Sequence, residues 1–542
     1  MSEADSYDYI IVGAGSAGCV LANRLSADPA NRVCLIEAGG KDRHPLIQVP
    51  LAVIKLMQHK VLNWRFDTVA QKNASNRPIY IPRGKVVGGS SSINGMVYMR
   101  GNRLDYDDWS NAGCEGWSYA EVLPYFKRSE NNEVWGGSSP YHGKGGVMNV
   151  TDAESYTPLA EMLFEAASQL QLPRTEDFNG KQQEGFGRRQ FTVKGGRRES
   201  TSTAFLRPAL SRKNLTLVTD CVVDKVTLAG KRATGVEILT ASGKRTLTAR
   251  KEVIVSGGAI HSPTVLLRSG IGPAAELAKL GIAVQHDLPG VGKNLQDHIL
   301  TSLQHKTESR VPYGISLDKL PWVAAQVLKY AFARRGLLAN PMLHVGGFVK
   351  TEPGLDRPDI QFILLPAYRT PGGATGIGHG YGLSILLLRP KSRGFVTVRS
   401  TDPTAAPVID PHFLEEDEDM ALLIKGFRLG RRLLESSAWD KVRGPETKPG
   451  PDTQTDEQVK QYIRDWTATA FHPVGTCKMG KDPMAVVDPQ LRVHGIEGLR
   501  VADASIMPTL IGGNTNAPAI MIGEKCADMV LGKAPLPAAA GV

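Results

Sequence analysis

The feature that most constrains the fold is a glycine-rich turn between an apolar strand and a helix, close to the start of the chain. Residues 9–12 form a short apolar run, and Gly13-Ala14-Gly15-Ser16-Ala17-Gly18 follows it with the spacing G-x-G-x-x-G. The first glycine permits a tight turn, the second lets the backbone approach a pyrophosphate, and the third lets the helix pack closely on the strand. The pattern predicts a dinucleotide-binding β-α-β unit whose helix N-terminus, with Gly13, Gly15, Ser16, Ala17 and Gly18, holds the pyrophosphate.

The residues that flank this motif make the prediction of a dinucleotide site more specific than the six residues alone would. Residues 16–25 carry apolar side chains at helical spacing, and residues 32–37 form a second buried strand. That strand ends in Glu37, which lies 19 residues after Gly18, where a carboxylate accepts hydrogen bonds from an adenosine ribose. We therefore assign Glu37 and Ala38 to the cofactor site. These residues do not distinguish NAD from FAD.

The rest of the chain indicates more than one structural unit. With 542 residues, two or three units are expected. Residues 252–256 and 499–503 are further buried strands, and 517–531 is typical of a closing helix. Residues 311–460 carry no nucleotide-binding motif and mix strands with helices, the clearest helix being 422–434. We expect this part to cover the substrate.

Composition excludes several classes of function. The net charge is +10, but Lys and Arg form no run of five, so nucleic-acid binding has no support. None of the six cysteines has C-x-x-C spacing, and no ligand cluster has metal-binding spacing, so no metal site is predicted. The N-terminus lacks the features of a signal peptide, and no apolar run reaches the roughly 18 residues of a membrane span. A cytoplasmic protein is predicted, with peripheral association at the inner face of the membrane left open.

Several long motifs then occur in a fixed order along nearly the whole chain. They are residues 84–101 (GKVVGGSSSINGMVYMRG), 258–272 (GAIHSPTVLLRSGIG), 290–298 (GVGKNLQDH), 471–480 (FHPVGTCKMG), 501–508 (VADASIMP) and 512–518 (GGNTNAP). With this set, the chain resembles the glucose-methanol-choline (GMC) oxidoreductase family. It is most similar to bacterial FAD-dependent alcohol dehydrogenases that pass electrons to an acceptor, a group that includes aliphatic alcohol, polyethylene glycol, L-sorbose and choline dehydrogenases.

The resemblance implies FAD rather than NAD, and it implies which residues hold it. The loop at Gly88 and Ser91 and the segment Asn94, Gly95, Met96 and Val97 would lie against the flavin ring, where backbone amides stabilise negative charge. Asp503 and Ala504 would contact the phosphate and ribityl region, and Val223 the adenine end. Some relatives attach FAD covalently through a histidine that corresponds to Ile93, so non-covalent FAD is predicted.

The fold expected from the resemblance is α/β. A Rossmann-type FAD-binding domain is joined to a second, α+β substrate-binding domain built on an antiparallel sheet plus helices. The FAD-binding domain would be discontinuous, with residues 1–155, 215–310 and 465–542. Residues 156–214 and 311–464 would form the substrate-binding domain.

The resemblance also implies the chemistry. His472 would be the catalytic base that takes the hydroxyl proton of an alcohol while FAD accepts the hydride at N5. Asn516 would be its partner and would orient the reacting oxygen by a hydrogen bond. His298, which ends another motif, is interpreted as structural.

The leading function is oxidation of a primary alcohol to the aldehyde, with electrons passed to a quinone or another acceptor. Alternatives within the family are a choline dehydrogenase, a sorbose-type sugar dehydrogenase and an oxidase that uses O₂. Choline stands below an uncharged alcohol because its ammonium needs an aromatic cage, and aromatic residues make up only 6% of the chain. The alternative of another class is an FAD-containing hydroxynitrile lyase.

Overall fold

The computed structural model describes residues 5–315, 319–368 and 376–542. Its strands are Ser6–Val12 (β1), Val33–Ile36 (β2), Phe66–Asp67 (β3), Tyr80–Ile81 (β4), Val97–Tyr98 (β5), Glu130–Asn132 (β6), Met148–Asp152 (β7), Gly185–Arg188 (β8), Gln190–Phe191 (β9), Val193–Lys194 (β10), Arg197–Arg198 (β11), Leu215–Val218 (β12), Val222–Ala229 (β13), Arg232–Thr240 (β14), Gly243–Val255 (β15), Ile271–Gly272 (β16), His286–Asp287 (β17), Ile299–Thr307 (β18), Gly314–Ile315 (β19), Val345–Val349 (β20), Ile360–Leu365 (β21), Gly378–Leu387 (β22), Phe395–Thr397 (β23), Val408–Asp410 (β24), Glu446–Lys448 (β25), Ala468–Thr469 (β26) and Leu499–Val501 (β27). Its α-helices are Ser16–Leu25 (α1), Pro45–Gln48 (α2), Val53–Met57 (α3), Arg103–Asn111 (α4), Tyr119–Ser129 (α5), Leu159–Gln169 (α6), Arg207–Ala209 (α7), Gly258–Arg268 (α8), Ala274–Lys279 (α9), Leu320–Ala333 (α10), Asp417–Glu435 (α11), Asp456–Trp466 (α12) and Asn516–Val530 (α13).

The first large sheet has seven strands in the order β12-β2-β1-β15-β14-β13, with β27 added to β15. The strands β12, β2, β1, β15 and β27 run parallel, while β14 and β13 extend the sheet as an antiparallel meander. The strands β1, β2 and β27 are almost continuously buried, as expected where helices cover both faces of a sheet. The helices α1 and α13 pack against each other beside it. The expected Rossmann-type domain is confirmed.

The turn after β1 shows why the motif needs its first and third glycines. Gly13 has φ +102°, and a Cβ there would lie 2.5 Å from the carbonyl oxygen of Ser256, which follows β15. A Cβ at Gly18 would lie 1.9 Å from the carbonyl oxygen of Gly13, because α1 packs directly on the turn. Any side chain at either position would push the helix away from the sheet.

The second large sheet has eight strands, in the order β25-β18-β22-β21-β20-β8 with β19 on β22 and β26 on β18, and every pairing in it is antiparallel. Side chains alternate between its two faces. One face, with Phe362 and Ile385, packs against α11, where Gly426 brings the helix close enough that a Cβ would lie 2.9 Å from Ile385. The opposite face, with Leu300 and Ile363, lines the cavity described below. The expected α+β second domain is confirmed.

One expected domain boundary changes. The sequence analysis assigns residues up to 310 to the FAD-binding domain, but β18 pairs with β22 over its whole length and so belongs to the second sheet. The short β26 pairs with β18 as well, although it lies after residue 465. Apolar periodicity identifies a strand without identifying the sheet that it joins, and we propose that the change of domain falls just before Ile299.

The elements expected near the C-terminus lie close to their predicted bounds. The strand at 499–503 is Leu499–Val501, and the helix at 517–531 is Asn516–Val530. The helix expected at 422–434 is longer, Asp417–Glu435, and carries three acidic residues in its first turn, where the helix dipole favours them. Within the described ranges, no helix is long and apolar enough to cross a membrane.

Candidate active site

A single cavity of about 560 Å³ lies where the parallel strands of the first sheet end and the second sheet begins. Its volume is in the range of ligand sites, about 300–1,000 Å³. The carboxyl ends of four parallel strands open onto it and supply Gly13 after β1, Glu37 after β2, Ser256 after β15 and Asp503 after β27. This is the edge at which open α/β sheets bind their ligands.

Most of the cofactor residues expected from the sequence line this one cavity. They are Gly13, Gly15, Ser16, Ala17, Glu37, Ala38, Asn94, Gly95, Met96, Val97, Val223, Asp503, Ala504 and Asn516. Gly18, Gly88 and Ser91 do not line it. Gly18 packs α1 on the turn, whereas the Gly88 amide donates to the carbonyl of Ala14 over 2.7 Å and so ties the serine-rich loop to the glycine-rich turn.

Glu37 is held rigidly at one end of the cavity. Its carboxylate accepts hydrogen bonds from the amide of Ala14 at 3.0 Å and from the amide of Gly39 at 2.9 Å. Burial raises the pKa of Glu37 to about 7, while these amides act in the opposite direction. The carboxylate is thus placed to accept hydrogen bonds from a ribose.

The middle of the cavity fits a pyrophosphate. Helix α1 starts at Gly15 without any side-chain cap and without an acidic residue in its first turn, so its amide dipoles are offered to the cavity. The carboxylate of Asp503 is engaged by the protein itself, since it accepts from the Gly258 amide at 2.8 Å and from the Ser262 hydroxyl at 2.5 Å. The residues present therefore fit an extended dinucleotide such as FAD.

A buried arginine that the sequence analysis missed organises the loop expected at the flavin ring. Arg198 donates from Nη1 to the carbonyls of Ser91 and Asn94 and to the Asn94 side-chain oxygen, and from Nε to the carbonyl of Ile47. Burial lowers the pKa of Arg198 to about 9. Ser91 itself is buried and bonds the hydroxyl of Thr201 at 2.9 Å. Ser91 thus stabilises the loop by a hydrogen bond and does not line the cavity.

His472 lies at the other end of the cavity, and its ring is contacted on both nitrogens. Its Nε2 lies 2.9 Å from the Asn514 amide nitrogen, and its Nδ1 lies 2.9 Å from Nδ1 of His298. The backbone amide of His472 donates to Asp297 over 2.8 Å, which fixes the chain at this point. The pKa of His472 lies well below its ordinary value. The largest cause is burial, and the next is the neighbouring His298.

The partner of His472 differs from the one expected. Asn516 lines the cavity as the first residue of α13, but its side-chain oxygen accepts from the Ser16 hydroxyl at 2.7 Å. The structure brings Asn514, not Asn516, into contact with His472. Asn514 lies in the turn before α13 and Asn516 begins the helix, and spacing along the chain does not indicate which of the two contacts the histidine.

The contacts of His298 determine the tautomer of His472. Nε2 of His298 lies 3.1 Å from two carbonyl oxygens, those of Leu388 and Ile511, and since carbonyls only accept, Nε2 carries the hydrogen. Burial lowers the pKa of His298 to about 4, so the ring is neutral and its Nδ1 is an acceptor. His472 must then donate from Nδ1. Its Nε2 keeps a lone pair that faces Asn514 and the cavity, as a general base requires.

The walls around His472 come largely from the second sheet and the segment before it. They were not identified from the sequence because they belong to no motif. The side chains in question are Leu300, Met342, Leu343, Ile363, Leu365 and Ser384. All but the serine are apolar. Further lining residues that the sequence analysis missed are Trp64, Arg83, Ser256 and His261.

Comparisons with known proteins agree with this geometry. Two family models described as GMC oxidoreductase match residues 7–300 and 390–523. An alcohol dehydrogenase [acceptor] of Pseudomonas putida is 45% identical over 530 residues, covering 97% of this chain and 96% of that protein. An oxygen-dependent choline dehydrogenase of Sinorhizobium medicae is 45% identical over 534 residues, covering 98% and 96%. The crystal structure of pyridoxine 4-oxidase from Mesorbium loti superimposes with TM-score 0.88 at 31% identity, over 97% of this chain and 100% of that one.

We predict that His472→Ala lowers the rate of flavin reduction by an alcohol by about 10²-fold or more while FAD stays bound, since general-base catalysis contributes about 10²–10⁴. Anaerobic stopped-flow absorbance measures the rate, and the flavin spectrum measures occupancy. The matched control is His412→Ala, a partly exposed histidine outside the cavity, which should leave the rate unchanged. A near-normal rate in His472→Ala would remove this residue from the mechanism.

We predict that His298→Leu lowers the same rate by about 10- to 100-fold, a part of what the base contributes, and that His298→Gln restores most of it. Glutamine can donate to the two carbonyls and accept from His472, whereas leucine can do neither. In the unchanged protein, the rate should stay constant at neutral pH and fall only below about 6.5, the ordinary histidine pKa, because the lowered pKa keeps His472 unprotonated. If both variants behave alike, His298 has only a packing role.

Proposed function

Since this chain belongs to the GMC oxidoreductase family, and is an FAD-dependent oxidoreductase acting on CH–OH groups, we propose that its substrate is an uncharged primary alcohol. The alcohol is oxidised to the aldehyde, and the electrons pass to a quinone or a similar acceptor. The observation that carries the proposal is the apolar wall around His472, which includes Leu300 and Ile363. A histidine whose unprotonated Nε2 faces the cavity lies beside a space that suits a hydrocarbon chain.

FAD, when bound, supplies the two-electron acceptor for the carbon-bound hydrogen. The residues of the chain accept the hydroxyl proton and stabilise the charge that develops on the alcohol oxygen. The lone pair on Nε2 of His472 accepts the hydroxyl proton of the alcohol, and the carbonyls of Leu388 and Ile511, acting through His298, hold that lone pair toward the cavity. The Asn514 amide, 2.9 Å from Nε2, is close enough to donate to the alcohol oxygen beside it and to stabilise developing alkoxide charge.

Charges around the base support an uncharged substrate over a cation. Arg83, which is half-buried and lines the cavity, and Arg189, which is buried, are cations that lower the pKa of His472, after burial and His298, and would repel a quaternary ammonium. Among the described residues, the acidic side chains that line the cavity are Glu37 and Asp503, and both already accept hydrogen bonds from the protein. Asp297, which lies beside His472, does not line the cavity and is hydrogen-bonded to the protein, so no described carboxylate of the cavity wall is left to balance the charge of choline. Choline remains the second candidate through the similarity to choline dehydrogenase.

Three finer proposals accompany this one. The position expected for a covalent histidine link is Ile93, a buried residue that lines the cavity, which supports non-covalent FAD. A quinone is proposed as the acceptor because one relative is an alcohol dehydrogenase [acceptor], and O₂ is the second candidate because an equally similar choline dehydrogenase is named oxygen-dependent. Lipid-soluble quinones are in membranes, which would favour peripheral association of the enzyme with a membrane.

We predict that straight-chain primary alcohols bleach the flavin under anaerobic conditions, with kcat/KM at least about 10²-fold above that for choline. A buried charge without a partner costs several kcal/mol, and each 1.36 kcal/mol is a factor of ten. The measurement is flavin absorbance after mixing with alcohols of increasing length, with choline and with a sugar alcohol. A preference for choline would contradict the proposal, and no bleaching by any of them would favour the hydroxynitrile lyase.

Readmitting air to the bleached enzyme tests the acceptor. Reoxidation by a quinone analogue, but only slowly by air, supports a dehydrogenase. Rapid reoxidation by air would identify an oxidase.

We predict that acid precipitation releases all of the flavin into the supernatant, because isoleucine cannot form the covalent bond that histidine forms. Absorbance of supernatant and pellet measures the distribution, and a flavoprotein with histidyl-linked flavin serves as the control that keeps its colour in the pellet. Yellow colour in the pellet of this protein would contradict non-covalent binding.

A further inference from the structure

The helix α10 exposes the face that a helix of a globular protein normally buries. Five of its large apolar side chains are exposed, namely Trp322 (45%), Val323 (40%), Val327 (47%), Leu328 (57%) and Phe332 (88%). Between residues 321 and 333, the side chain that is buried is Tyr330, whose hydroxyl donates to the carbonyl of Gln48 over 3.1 Å. An exposed apolar surface of this kind marks an interaction site.

Two of these residues, Leu328 and Phe332, form the outward face of the helix, whereas Val323 and Val327 lie on the side of Tyr330 and Trp322 lies at the flank. Leu328 and Phe332 are four residues apart, so they lie next to each other on the helix. At 100° per residue, both point away from Tyr330, which anchors the helix to the protein. Two small residues, Ala324 and Ala331, occupy the same outward face and are also exposed. The outward face of α10 is thus apolar, with the exposed Lys329 at its edge.

Cations surround this face at the C-terminal end of α10. Lys329 and Arg335 are exposed, Arg334 is half-buried beside Tyr330, and Arg197 is exposed on the hairpin β10–β11. This hairpin touches the end of α10, since a Cβ at Gly196 would lie 1.9 Å from the carbonyl oxygen of Arg334. None of these four cations forms an ion pair with a described acidic side chain.

One carboxylate lies close by. Glu154 is exposed and accepts a hydrogen bond from the Gly336 amide at 2.9 Å. Among the described residues, the C-terminal end of α10 and its flanking cations therefore carry four positive charges against the one negative charge of Glu154.

We propose that α10 docks this protein on an anionic lipid bilayer, with Leu328 and Phe332 in the acyl boundary and Lys329, Arg334, Arg335 and Arg197 at the headgroups. Interfacial helices combine an apolar face bearing Trp, Phe and Leu with Lys and Arg beside it. Anionic headgroups supply the counter-charge that the described surroundings of α10 lack. A symmetric contact with a second copy would instead bring the same cations together.

The helix α10 is connected to two of the segments that line the cavity, one through the chain and one through a hydrogen bond. After α10, the chain continues through the turn Leu337–Ala339 to Met342 and Leu343, which line the cavity. The residue that accepts from Tyr330, Gln48, precedes Val53 and Ile54, which line it as well. Docking through α10 would therefore place this side of the cavity at the membrane, where apolar alcohols and quinones dissolve. That consequence rests on the proposed function, whereas the docking does not.

The test is sedimentation of the FAD-loaded protein with vesicles, without alcohol or acceptor, so its result is independent of the proposed reaction. Vesicles of phosphatidylcholine containing phosphatidylglycerol should bind the protein, and added salt should weaken the binding. Vesicles of phosphatidylcholine alone should bind it about tenfold more weakly or worse. Quenching of Trp322 by brominated acyl chains, lost in Trp322→Phe, would locate the contact.

Two variants and one matched control define the surface. Leu328→Ser with Phe332→Ser, and separately Lys329→Gln with Arg335→Gln, should each lower the vesicle partition coefficient about tenfold or more. Val284→Ser with Met484→Ser, which changes two exposed apolar side chains elsewhere, should leave it unchanged. The flavin spectrum and the rate with a water-soluble alcohol should be normal in all three, because none of these residues lines the cavity.

The proposal is overturned if the protein does not sediment with anionic vesicles, or if the Leu328 and Phe332 variant binds them as the unchanged protein does. A dimer in light scattering that this variant dissociates, without vesicle binding, would identify α10 as an interface between two copies.

Discussion

The structure depends on the parallel pairing of β1 with β2 on one side and with β15 on the other. This pairing brings the ends of three strands, and of β27 beyond them, to one edge of the sheet. Residues from positions as distant as Gly13 and Asp503 thereby face one cavity. Gly13 can make the turn only because it lacks a side chain, since a Cβ would meet the carbonyl of Ser256. The cofactor site is thus a consequence of how the strands pair.

The catalytic end of the cavity depends on a second constraint, which is the hydrogen bonding of a buried histidine pair. Two backbone carbonyls, of Leu388 and Ile511, come from different parts of the chain and meet at Nε2 of His298. They fix the hydrogen of His298 on Nε2. The contact of 2.9 Å between the two Nδ1 atoms then fixes the hydrogen of His472 on its Nδ1. Burial disfavours the charged form of both rings. The proposed base thus owes the orientation of its lone pair to backbone carbonyls that contact the neighbouring ring.

The substrate region and the exposed helix both belong to the second domain, and both are apolar for different reasons. The wall that includes Ile363 is the cavity side of a two-sided sheet, where alternate residues such as Phe362 pack under α11. The outward side chains of α10 cover nothing in the described protein, since Phe332 is 88% exposed. An apolar wall selects substrates, whereas an apolar outer face needs a partner outside the protein.

The sequence by itself determined the α/β class, the dinucleotide site and the identity of His472 as a candidate base, because these depend on local motifs in which residue type and spacing carry the physics. The tertiary structure decided the rest. Asn514 rather than Asn516 reaches His472, because the start of α13 turns Asn516 toward Ser16. His298, expected to be structural, contacts His472, and β18 joins the second sheet. These outcomes depend on which distant segments meet in space, and a periodic pattern or a motif carries no information about that.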